Sequence, residues 1–70
     1  MYIQWYMRDQ KHISVSEHMQ YAVEACKRRL GIVPNCIYCN AADVALFDAT
    51  VYTVIASRYL SPGNFRIGVK

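Results

Sequence analysis

The sequence predicts an α+β fold in two layers. One mixed sheet of about four strands, in the order β-α-β-(α)-β-β, carries a main helix over residues 14–30 packed on one face. Three observations predict it. A long amphipathic segment has capping residues at both ends. Short alternating or β-branched runs lie on either side of it. The chain has 70 residues, which suits one small domain over 1–70 and leaves no room for a second.

Residues 1–7 alternate. Ile3, Trp5 and Met7 fall on one face, and Tyr2, Gln4 and Tyr6 on the other, with the period and composition of a strand. Arg8, Asp9, Gln10 and Lys11 read as a polar connection. Ser14 and Glu17 then form a capping box, in which the Ser14 hydroxyl accepts from an orphan N–H and Glu17 reaches back. Val15, Met19, Ala22, Val23, Cys26 and Leu30 recur at helical spacing as one apolar stripe, with His18 on its flank. Lys27, Arg28 and Arg29 stand in the last turn, where cations complement the helix dipole. Gly31 provides the left-handed C-terminal residue, and Pro34 prevents continuation.

Residues 36–39 are short, apolar and strand-like. Asn40 can cap a short helix over 41–47, and 51–57 is the most β-branched run in the chain. Ser61, Pro62, Gly63 and Asn64 fit a type II turn. Phe65, Ile67 and Val69 alternate with Arg66, Gly68 and Lys70 as a final strand. The strand–helix–strand start predicts a parallel pair, and the last two strands predict a hairpin.

The stretch NCIYCN holds a C-x-x-C pair, Cys36 and Cys39. A zinc or redox site is the chemistry such a pair suggests. A structural zinc needs about four ligands with its C-x-x-C half in a tight turn, yet Ile37 and Tyr38 are strand formers. Strand positions three apart point to opposite faces, so the two thiols diverge. A redox pair would open a helix with its first cysteine, and here that residue lies back in the strand. The reading adopted is of two buried strand cysteines, with no metal, cofactor or small-molecule ligand. Cys26, on the helix stripe, behaves as a small hydrophobe. Three cysteines is an odd number, which disfavours a secreted disulfide framework and favours a reducing compartment.

No catalytic residue is assigned. Asp9, Asp43, Asp48, Glu17 and Glu24 include no acid–base pair. Ser57, Ser61 and Thr53 have no neighbouring His, and Gly31, Gly63 and Gly68 are too scattered for a phosphate loop. The apolar N-terminal run is too short and broken for a signal peptide or membrane span, so the expected setting is cytoplasmic.

Two binding functions remain. The hydrophobic fraction is 54% and the charged fraction 19%, against roughly 25% charged residues in ordinary domains. Such a chain has more apolar surface than one helix can hide, which predicts a non-enzymatic, self-associating interaction module, a homo-oligomer meeting through Tyr2, Tyr6 and Tyr52. The alternative is nucleic-acid binding. The formal charge is +3, and Lys27, Arg28, Arg29, Arg58 and Arg66 supply cations beside sheet tyrosines that can stack on bases. Against it, a basic run at a helix C-terminus also serves the helix, and tyrosines often simply cover a sheet. A third reading gives Cys36 and Cys39 a zinc or redox role.

Overall fold

The computed structural model describes residues 1–7 and 12–70; the polar connection Arg8, Asp9, Gln10 and Lys11 lies outside the described residues. The elements are β1 (Tyr2–Tyr6), α1 (Val15–Leu30), β2 (Cys36–Cys39), a 3-10 helix (Ala41–Leu46), β3 (Thr53–Ala56) and β4 (Asn64–Gly68). They form one mixed four-stranded sheet and a helix layer, the predicted α+β arrangement.

Local signals place these elements. Ser14 has an extended backbone and accepts from Glu17 N–H at 3.2 Å. Gly31 ends α1 at φ 65, and its N–H donates to Lys27 O at 3.1 Å, which relieves an orphan carbonyl. The Asn40 side chain caps the 3-10 helix through Ala42 N–H at 2.9 Å. Gly63 at φ 87, with Asn64 N–H donating to Ser61 O at 3.2 Å, closes the predicted turn.

The strand order is β1-β4-β2-β3, and it corrects two expectations. β1 and β2 are not a parallel pair, because β4 runs antiparallel between them. β3 and β4 are not a hairpin, and the parallel pair is β2 with β3. The central position suits β4. Its Phe65 and Ile67 are both fully buried, and full burial of such a side chain contributes about 1.5–3 kcal/mol. The edge strands β1 and β3 are the ones with exposed residues at their ends, Tyr6 and Thr53 among them.

Register decides the two faces. Ile3, Ile67, Ile37 and Val54 stand side by side across the sheet, as do Trp5, Phe65, Cys39 and Ala56. These rows face α1, which lies chiefly over β1 and β4. The face of α1 that is fully sequestered is His18, Ala22, Ala25 and Cys26, which rotates the predicted stripe. Val15, Met19, Val23 and Leu30 flank it, half-buried. Small side chains let the helix approach the sheet, while bulkier ones fill the margins. His18, placed on the flank by the sequence, is 2% exposed and accepts at Nδ1 from Trp5 Nε1–H at 3.2 Å. The Cys26 thiol donates to Ile67 O at 3.6 Å, joining α1 to β4. Phe47 meets Phe65 edge-to-face at 5.1 Å and closes the core beyond the helix.

Candidate functional site

Among the described residues, no helix lies on the opposite face of the sheet. Its rows are Tyr2, Gly68, Cys36, Thr53 and Gln4, Arg66, Tyr38, Ile55, with Tyr6 beside Asn64. Tyr2 and Tyr38 meet edge-to-face with centroids 5.2 Å apart, spanning from the edge strand β1 across β4 to β2. Gly68 makes this possible. A Cβ there would stand 1.9 Å from Met1 O and 2.8 Å from Tyr2 Cα and Cδ1, so only glycine lets Tyr2 lie down across the sheet. Cys36 is thereby fully buried although it belongs to the open face. Hydrogen bonding with Tyr38 is the largest of the effects pushing the Tyr2 hydroxyl well above the ordinary tyrosine range; desolvation and Cys36 act in the same direction.

The connection 57–63 passes from the edge strand β3 over the end of β2 to reach β4. Four hydrogen bonds hold it there. Ser57 N–H donates to Cys39 O at 2.7 Å, Asn40 Nδ2 to Leu60 O at 2.9 Å, Gly63 N–H to Asp43 Oδ2 at 2.8 Å, and Met7 N–H to Gly63 O at 2.8 Å. Leu60 is pressed down to 6% exposure, while Tyr59 stands up at 84%. The Arg58 guanidinium carbon lies 5.4 Å from the Tyr59 ring centroid, within cation–π range. Tyr2, Tyr38, Ser57, Tyr59, Leu60 and Arg66 enclose a cleft of about 320 Å³. The four strands contribute no carboxylate, so nothing on them repels an anion.

The residues expected to act together are divided between the layers. Arg58 and Arg66 flank the cleft. Lys27, Arg28 and Arg29 are exposed on α1, on the other layer. Tyr2 and Tyr6 are on the open face. Tyr52, expected with them, precedes β3 and packs on the helix side with Val54. There it lines a groove of about 590 Å³ with Met19, Val23 and Tyr21, beside the part of the sheet that α1 leaves uncovered. Burial raises the Tyr52 hydroxyl above its usual range, with smaller contributions from Cys26 and Asp48.

Cys36 and Cys39 point to opposite faces, as their strand spacing requires, and all three thiols are buried and free. Burial pushes the Cys39 thiol up, and Asp43 adds to this; burial alone raises Cys26. Both shifts oppose the thiolate that metal binding and redox exchange need. Among the described residues no three His, Cys, Asp or Glu side chains are grouped to hold a metal, and no helix is long and apolar enough to cross a membrane.

Tyr38, Tyr59 and Leu60 were not singled out by the sequence. Tyr38 had a signal, since Ile37 had to face the core and its neighbour therefore the other side. Arg58 and Tyr59 are a basic–aromatic neighbour pair. Leu60 had none, because a tertiary crossing buries it. No family model matches this chain, and no curated protein or solved structure matches it either.

Proposed function

We propose that this chain is a non-enzymatic binding module whose open sheet face takes a single-stranded nucleic acid. The observation that carries the reading is the cluster of Tyr2, Tyr38 and Arg66 on strands that bear no carboxylate, with Arg58 and Tyr59 on the connection beside them. Tyrosine faces stack on bases without regard to sequence, and arginines track the phosphates. A binding role is preferred to catalysis because this face offers hydroxyls and guanidinium groups, with its one thiol covered by Tyr2. Fluorescence anisotropy with a labelled ten-nucleotide strand tests it. Two phosphate contacts give a log–log salt slope of about −1.4, hence roughly sevenfold weaker binding between about 50 and 200 mM salt. No binding at the lower salt would refute the reading.

A second reading, self-association, is favoured by the groove between α1 and Tyr52. Met19, Val23 and Tyr52 are apolar and only half-covered there. The occupant proposed is a second copy. α1 carries Glu17 in its first turn and Lys27, Arg28 and Arg29 in its last, so an antiparallel copy sets opposite charges face to face. A stable pair should bury about 1,200 Å² or more. Light scattering after size exclusion tests this, with Met19→Lys expected to yield monomer. A wild-type monomer at high concentration would exclude it.

A further inference from the structure

We infer that the open-face cleft is a pocket for one nucleobase, turned out of a single strand and held between Tyr59 and the Tyr2–Tyr38 wall. This rests on the nucleic-acid reading and gives it a defined centre. Size is the first ground. About 320 Å³ is at the small end of ligand sites, which run roughly 300–1,000 Å³, and it accommodates one nucleotide-sized ring system. Shape is the second. The cleft has an apolar floor, Leu60, and an aromatic wall whose two rings are locked edge-to-face. Its mouth carries Tyr59, exposed and paired with Arg58.

Polar placement is the third ground. Arg66 lines the cleft, and Gln4 is its register partner on β1. The Arg66 guanidinium in the cleft lining can meet a phosphate or a base edge. The connection 57–63 is anchored at both ends by backbone and side-chain hydrogen bonds, so the pocket is largely formed before a ligand arrives. A base inside a duplex keeps its faces stacked on its neighbours and cannot enter, which makes the site selective for unpaired strands.

The test uses the full chain and a ten-nucleotide single strand with one 2-aminopurine. Stacking in the cleft should quench the 2-aminopurine emission. Tyr59→Ala, at an exposed position, should lower affinity on the order of 10- to 100-fold, as loss of one stacked base does, with the salt slope unchanged. Tyr59→Phe should bind like wild type. Arg66→Ala should instead flatten the salt slope by about 0.7, the share of one phosphate on a single strand. A duplex of the same sequence should bind at least about tenfold more weakly. A strand that binds without quenching, and equally well to Tyr59→Ala, would overturn the pocket while leaving electrostatic strand binding in place. A nucleoside monophosphate binding as tightly as the strand would overturn the strand as ligand. If no strand binds at low salt, the pocket and the reading beneath it fall together.

Discussion

Trp5 and His18 are joined across the two layers: the indole Nε1–H of β1 donates to Nδ1 of the histidine on α1 at 3.2 Å. This hydrogen bond links the helix to the edge strand.

His18→Leu should therefore keep the fold while removing the acceptor. Trp5 is half-buried, so its N–H can turn toward water, and the cost should be about 1 kcal/mol. For a domain of this size that lowers Tm by roughly 4–8 °C. Trp5 is the single tryptophan, so its emission should shift red. An unshifted spectrum at unchanged Tm would show that the bond is not holding the layers.

Two glycines should respond differently to alanine. Gly31 has φ 65 and open space at its Cβ position, so Gly31→Ala meets only left-handed strain, about 1–2 kcal/mol. Gly68→Ala has no such escape, since Met1 O and the Tyr2 ring occupy the place its Cβ would take. It should displace residues 1–2 and uncover Cys36. Thiol titration in native buffer should then read one reactive cysteine where the wild type reads none.

The helix face can be checked with a buried charge. Ala22→Asp puts a carboxylate where exposure is 0% and should abolish folding. Met19→Asp sits at the groove margin, where its charge reaches solvent, so the protein should fold with a lowered Tm. Circular dichroism melts rank the two, and the reverse order would reject the orientation of α1.

Stability should fall in base. Cys26, Cys39, Tyr2 and Tyr52 all have raised folded values, so the native state holds their protons more tightly than the unfolded chain. That contribution is complete below the unfolded values, about 8.5 for Cys and 10 for Tyr, and is lost as pH rises through the folded ones. Asp48 works in the opposite sense. The Thr50 hydroxyl and N–H hold its carboxyl below the usual range, giving stability present above the unfolded value and lost as pH falls through the folded one. Urea midpoints under reducing conditions should be flat near neutrality and decline above about pH 9. A midpoint still level at pH 10.5 would contradict the burial of Cys26, Cys39 and Tyr52 and the hydrogen bonding of Tyr2.

Local features of the fold were legible in the sequence because each is written in a few adjacent residues: Ser14 and Glu17, Gly31, Asn40, and the Pro62-Gly63 turn. The strand order was not, because pairing depends on which strand can bury both faces. Phe65 and Ile67 settle that only once Ile3 and Ile37 lie on either side. Tyr52 was expected with Tyr2 and Tyr6 but lies on the helix side, since period two is silent on which face of a strand the helix covers. The helix face was read in part: Ala22 and Cys26 of the predicted stripe are buried, and Val15, Met19, Val23 and Leu30 pack at its margin. The stripe missed Ala25 and His18, because a small residue and a histidine carry little apolar signal, yet close approach to the sheet buries both. Of the cleft, Arg66 and Tyr2 were found, with Arg58 beside its mouth, and the crossing connection that completes it was not.

The pairing of Tyr2 with Gly68, and the hydrogen bond from Val69 N–H to Met1 O at 3.1 Å, bring residues 1 and 70 to one end of the sheet. Tension applied between them would pull on the β1–β4 ladder from its open end. Its bonds would be loaded one at a time, as in a zipper, instead of sharing the force as strands drawn lengthwise past each other do. The first to part would be those beneath Tyr2, so weak pulling on the ends would strip the aromatic wall from the open face while the layers joined by Cys26 and His18 still held.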